Sequence, residues 1–237
     1  MTFLVHALFP PQEQKRWFNA SDGLTAHNKL IIDNLIFSTE ALGAAMFSIH
    51  SPVVDNVYIT DSEVPGGFVR AQPGTLKDVR LAQKAFIEVM DSLAPRIRSS
   101  GLKVAIENMD NVYFNPLLDS IGDFTRIFDI YPWAGLLLDI AHSKRSGRTS
   151  ELAKIGRNIL ELHIHDNKDF SEVDTWGHFA LKGASLLDEI KEVLMNNTCP
   201  IILEHGNEVS EEELLSEKIL IEEYIKVTDQ RDPLSST

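Results

Sequence analysis

Short, nearly continuous apolar runs alternate with longer amphipathic stretches along the whole chain. The apolar runs fall at Phe3–Leu8, Met46–Ser51, Lys103–Asn108, Gly135–His142, Glu161–Asn167 and Pro200–Gly206. Their length and β-branched content predict strands, and their lack of alternation predicts strands covered on both faces, as in parallel sheets. Between them, apolar residues recur at helical spacing. Thr25–Leu42 carries Leu30, Ile31, Leu35 and Leu42, and Leu76–Arg98 carries Leu81, Ala85, Val89 and Leu93. Further helices are predicted near Asp119–Ile130, Ser150–Asn158, Ser185–Met195 and Glu211–Val227. Strands alternating with helices in this way specify a parallel α/β fold.

The strands share a second feature. Each stays apolar until its C-terminal end and then finishes in a side chain able to bind a metal. The endings are Val-His6, Ser-Ile-His50, Ala-Ile-Glu107, Leu-Leu-Asp139, Leu-His163-Ile-His165 and Ile-Leu-Glu204. Parallel β/α barrels build their active sites at this end of their strands. A lone histidine at a strand end is usually a satisfied core or loop residue. A whole series of carboxylates and imidazoles is costly to bury unless its members pair or coordinate a cation. Mixed carboxylate–imidazole sets suit Zn²⁺ or Mn²⁺ better than Mg²⁺, which prefers oxygen alone. His163 and His165 lie two apart on one strand and so face the same side. His142 follows Asp139 by three residues and is a candidate second-metal or substrate ligand, or simply a loop histidine fixing a turn. Asp174-Thr-Trp176-Gly-His178 adds two further candidate ligands.

Composition narrows the partners. The chain has 237 residues, of which 43% are hydrophobic and 24% charged, within the range of a single globular domain. Its formal net charge is −13, which repels polyphosphate backbones unless basic residues cluster, so tight nucleic-acid binding is not expected. The densest cluster is Lys144, Arg145 and Arg148, either a solvated loop or a grip on a phosphate. No apolar run reaches the roughly 18–20 residues of a membrane helix, and the opening Met1–Pro11 run lacks the form of a secretory leader. Cys199 is the one cysteine, so an internal disulfide is excluded and a cytoplasmic location is expected.

The strand endings resemble those of the xylose isomerase-like and endonuclease IV-like superfamily of TIM-type barrels. The resemblance rests on Val-His6-Ala-Leu-Phe9, Ile-His50-Ser-Pro, Ile-Glu107-Asn108, Leu-Asp139-Ile-Ala-His142, His163-Ile-His165-Asp166-Asn and Leu-Glu204-His-Gly, and spans nearly the whole chain. It implies one barrel domain over residues 1–237, with one to three divalent ions, zinc or manganese. Carried over from endonuclease IV, the ligands would be His6, His50, Glu107, Asp139, His142, His163, Asp174, His178 and Glu204, with Glu107 bridging two ions. The sugar isomerase and epimerase branch implies a smaller set: Glu107, Asp139, one of His163 and His165, and Glu204 hold one ion, and His142 touches the substrate. In that branch Glu107 and Glu204 are the candidates for moving a proton between carbons. Phe9, Asn108, Lys144, Arg145 and Trp176 are the candidate substrate contacts.

The chain departs from endonuclease IV at several motifs. His50-Ser-Pro-Val-Val-Asp stands where that family has Gly-Ser-His after the histidine, and Asp174-Thr-Trp-Gly-His178 is longer than its Asp-x-His. The resemblance also aligns His6 with the third barrel strand, which implies that the first two βα units are missing and about six are present. Open strand edges would then need cover, and a second copy of the chain, a homodimer, is expected to supply it. The reading preferred on these grounds is a metal-dependent isomerase or epimerase of a small sugar or sugar phosphate. The alternatives are a zinc phosphodiesterase of the endonuclease IV type and a catalytically inactive barrel domain.

Overall fold

The computed structural model describes residues 3–7, 18–60, 70–166, 178–205 and 209–231. By internal contact the chain divides into two compact units, Met1–Gly135 and Leu136–Thr237.

The first unit runs β1 (Val5–His6), α1 (Ala26–Leu42), β2 (Met46–His50), β3 (Asp55–Thr60), β4 (Arg70–Leu76), α2 (Val79–Ser100), β5 (Lys103–Glu107) and α3 (Ile121–Ile130). Strands β1, β2 and β5 are parallel neighbours, and the register sets His50 directly beside Glu107. Phe47, Ile49, Val104, Ala105 and Ile106 are all but fully buried. Three consecutive residues buried on β5 require cover on both faces, which is what an unbroken apolar run encodes. The helices start where side chains can satisfy their first amides: Thr25 Oγ1 accepts from the Asn28 amide at 3.1 Å and Asp78 Oδ1 from that of Leu81 at 3.0 Å. Both stop at glycines in the left-handed region, Gly43 (φ 64°) and Gly101 (φ 71°).

The second unit begins at Leu136, within β6 (Ala134–Asp139), and continues through α4 (Ile140–Arg145), α5 (Thr149–Leu152), a 3-10 segment (Ala153–Asn158), β7 (Ile159–Ile164), α6 (Ser185–Glu189), α7 (Lys191–Asn196), β8 (Ile201–Leu203) and α8 (Glu211–Arg231). Strands β6, β7 and β8 are parallel, with Asp139 beside His163 and Ile164 beside Leu203. Leu136, Leu137, Leu138, Leu162 and Ile164 form its core with Leu187 and Ile190.

All six predicted strands are present, but several are shorter than their apolar runs. Among the described residues β1 covers Val5–His6, and β8 ends at Leu203, so Glu204 lies just past it; Leu8, Asn167 and Gly206, the last residues of three predicted strands, lie outside the described residues. The run Gly135–His142 divides: the strand stops at Asp139 and Ile140–Arg145 is helical, which moves His142 onto α4. The Asp139 carboxylate causes the switch, since its Oδ1 accepts from the His142 amide at 2.8 Å and caps the new helix. The buried stripes of the two long helices also differ from the expected ones. Leu30, Leu42 and Leu81 are exposed, whereas Ile32, Leu35, Ile36 and Thr39 of α1, and Ala82, Phe86, Val89, Met90 and Leu93 of α2, face inward. The predicted helix Ser150–Asn158 is one turn of α5 followed by the 3-10 segment, broken at Gly156 (φ 61°). The predicted helix Ser185–Met195 forms as two pieces, α6 and α7. The antiparallel ribbon β3–β4 was not anticipated. It is anchored through Asp55, whose carboxylate accepts from the Asn115 amide at 2.7 Å and from Asn115 Nδ2 at 2.9 Å.

Candidate metal centre

In the first unit Glu107 sits at the end of β5, only 2% exposed. His6 Nε2 lies 2.9 Å from Glu107 Oε2, and His50 Nε2 lies 3.5 Å from the same oxygen. The two imidazoles meet edge to face, with ring centroids 5.0 Å apart. His6 Nδ1 is 3.1 Å from the Ala7 carbonyl oxygen, to which it can only donate. In a neutral ring that leaves the Nε2 lone pair facing the carboxylate. Two electron-rich atoms at this distance are stable only with a proton or a cation between them. A doubly protonated His6 or a cation would satisfy the contact, and carboxylate with imidazole is a donor chemistry that zinc accepts.

The second unit gathers a denser set. Asp139 is fully buried, and its Oδ2 is 2.9 Å from His165 Nε2 and 3.9 Å from His142 Nε2. Burial by itself would push the Asp139 carboxyl up, but the charges of His142 and His165 and the His165 hydrogen bond hold it well below the usual carboxylate range. An antiparallel bridge between Asp166 and Phe179 brings the chain back to the end of β7, and there His178 stacks on His165 with centroids 3.9 Å apart. Burial, then the neighbouring His165, pushes the His178 imidazole down to about 4, against the pull of Glu204 and Asp139. His178 is thus neutral at pH 7, the state in which imidazole binds metals. In each of two overlapping groups, Asp139–His142–His165 and His165–His178–Glu204, the donor atoms lie within 4.8 Å of one another.

His163 stands between two carboxylates, with Nδ1 2.9 Å from Glu204 Oε2 and Nε2 3.0 Å from Glu161 Oε1. Glu161 is 3% exposed. It holds Nε2 of the ring in place, the position an outer carboxylate takes behind a metal-bound histidine. Sequence reasoning passed over Glu161, although Glu161, His163 and His165 alternate along β7 and the residue just past its end, and that spacing was a sufficient signal. It also passed over His205 and Glu217, which form a buried pair. Glu217 interrupts the inward stripe of α8 that includes Ile221 and Thr228.

Of the candidate substrate contacts, Asn108 is buried beside Glu107. Lys144 is half-buried and bonded to Asp166 Oδ1 at 2.7 Å, so it reaches the end of β7 as one half of an ion pair. Arg145 closes α4. Phe9, Asp174 and Trp176 lie outside the described residues.

The sequence profile described as a xylose isomerase-like TIM barrel matches residues 1–222, and the chain belongs to that family. Among the described residues the six parallel strands compare with eight in a complete barrel. No curated protein matches by sequence. Similar solved structures include a family 2 AP endonuclease from Brucella melitensis (15% identity, TM-score 0.61, covering 91% of this chain and 77% of that one). The 3-keto-D-glucoside 4-epimerase YcjR from E. coli is also similar (11% identity, TM-score 0.58, 90% and 76%). So is the IolI protein with a bound zinc atom (20% identity, TM-score 0.52, 86% and 68%). At these identities the likeness is one of fold.

Proposed function

We propose that the protein is a divalent-metal enzyme of the isomerase or epimerase type acting on a small sugar or sugar phosphate. The observation that carries this reading is Asp139: a fully buried carboxylate held ionised among histidines, beside a neutral His178. These are the protonation states a Zn²⁺ or Mn²⁺ ion requires. In the second unit Asp139, His163 or His165, His178 and Glu204 would hold the ion. In the first, Glu107 with His6 and His50 would hold one. When bound, the ion would supply Lewis-acid polarisation of substrate oxygens. Glu204 and Glu107, each in its own set, are the candidates for taking and returning a proton at the carbon next to the carbonyl. His142, at the first turn of α4, would orient the substrate. The −13 charge and the pairing of Lys144 with Asp166 favour a small substrate over a polyanion. The known activity of a structural neighbour on a 3-ketoglucoside supports including keto sugars among the substrates tested.

One feature favours a second reading, phosphodiester hydrolysis at a multi-ion centre. Asp139, His142, His163, His165, His178 and Glu204 offer more donors than a single four-coordinate ion uses.

The test has two parts. Elemental analysis of the desalted protein should find zinc or manganese, and Glu107→Gln should lower the bound metal with the circular-dichroism spectrum retained. The metal-loaded protein should then exchange solvent deuterium into the carbon beside the carbonyl of an aldose, ketose, keto-glycoside or one of their phosphates, read by NMR. Unchanged metal content in Glu107→Gln would remove that residue from the ligand set. Absence of exchange across the panel, together with cleavage of abasic-site DNA, would replace the isomerase reading by the hydrolase.

A further inference from the structure

We infer that Glu217, on α8, is a positioning residue that fixes the spacing of His178 and Glu204. The inference rests on the metal-binding reading of those two side chains. The Glu217 side chain is completely buried, and it uses both carboxylate oxygens. Oε1 accepts from the Leu181 amide at 2.7 Å. Oε2 accepts from Nε2–H of His205. Neither partner is incidental to the centre. Leu181 lies three residues after His178, and His205 immediately follows Glu204. These are the two segments that bring His178 Nδ1 to 3.8 Å from Glu204 Oε2.

The helix gains nothing from a charge at this position. Glu217 shares the inward stripe of α8 with Ile221 and Thr228, which are also buried. A leucine there would pack without the desolvation cost that a buried carboxylate carries. What a leucine lacks is a pair of acceptors in a fixed plane, one for each ligand-bearing segment. The planar carboxylate sets the distance between the Leu181 amide and the His205 ring, and through them the separation of the two candidate ligands. Such outer contacts change metal affinity by about 10–100-fold when removed.

The experiment measures Zn²⁺ affinity by competition with a chromophoric chelator, and the visible spectrum of the Co²⁺-loaded full chain. It compares wild type with Glu217→Ala, Glu217→Gln and His205→Leu. Glu217→Ala should weaken Zn²⁺ binding at least about tenfold and alter the Co²⁺ absorption. Glu217→Gln keeps an oxygen for Leu181 and an amide for the other tautomer of His205, so it should recover most of the affinity. His205→Leu breaks one of the two contacts and should fall between, and it keeps the test open if Glu217→Ala does not fold. Apo-protein melting is recorded alongside. Variants that melt earlier but bind Zn²⁺ within twofold of wild type, with an unchanged Co²⁺ spectrum, would make Glu217 a structural residue only and overturn the inference. A wild-type chain that binds neither ion would overturn the metal reading itself, and the inference with it.

Discussion

At the scale of single residues, burial acts on Asp139 and His178 in opposite senses on charge. Desolvation opposes the charged form of both. Asp139 stays ionised because His142 and His165 stand against it, whereas His178 gives up its proton. One desolvated pocket thus holds an anionic oxygen donor next to a neutral nitrogen donor. Cys199 shows the same force opposed only by a hydrogen bond from its own backbone. Burial, together with the charge of Glu161, pushes its thiol up to about 11. Only the thiolate alkylates, so reaction of the folded protein with iodoacetamide should accelerate about 30-fold between pH 8 and pH 9.5, against about fourfold for a thiol with the ordinary pKa near 8.5. The urea-unfolded chain supplies the ordinary profile. A folded profile that levels off by pH 9.5 would mean that the thiol is not desolvated. The key carboxylates and imidazoles were legible as residues because strand ends in parallel folds are where such groups collect. Glu161 was legible only through its alternation with His163 and His165, because it lies inside a strand rather than at its end, and Glu217 was not legible, because it lies within a helix far along the chain from the strand ends.

At the scale of elements, legibility followed the kind of signal each element carries. β2 and β5 were readable within one residue because each is a buried apolar run closed by a polar end, whereas β7 begins two residues before the predicted run and ends at Ile164. The end of β6 was not readable, because Ile140 and Ala141 are as apolar as the strand before them. An apolar run does not distinguish a buried strand from the first turn of a buried helix. Only the Asp139 cap, a tertiary fact about where that carboxylate points, ends the strand. The β3–β4 ribbon escaped because β4 contains Pro73 and Gly74, which count against a strand. Pro73 is accommodated opposite Val57, where the register of this two-stranded ribbon is irregular. α3 gives a direct measure of what capping contributes. Ser120 Oγ accepts from the Asp123 amide at 3.3 Å, and Asp123 Oδ2 accepts from the Ser120 amide at 3.1 Å. This reciprocal box satisfies two amides that the helix itself leaves without partners. Ser120→Ala should lower unfolding stability by about 1 kcal/mol in urea titrations, with the m-value unchanged. A loss under about 0.3 kcal/mol would mean that water replaces the cap at no cost.

At the scale of the whole molecule, charge is the property that bears on the choice between the two proposed reactions. The fold does not decide it, since structural neighbours with different named activities share it. A DNA-cleaving enzyme must neutralise several phosphates, and each contact takes a lysine or arginine that is not already committed. The net charge here is −13. In the densest basic cluster, Lys144 is bonded to Asp166 and Arg148 to Glu151. Moving either cation to a phosphate would break its ion pair and bring the released carboxylate toward another negative charge, so the cluster is a poor start for a duplex footprint. Duplex DNA carrying an abasic site should therefore show no gel-shift binding tighter than about micromolar at physiological salt. Lowering the salt should rescue little, because a surface of this sign gains repulsion as screening falls. The opposite result would be a submicromolar complex that weakens steeply as salt rises. That slope would count phosphates contacted by basic residues outside the Lys144–Arg148 cluster, and it would shift the assignment from sugar chemistry to phosphodiester cleavage.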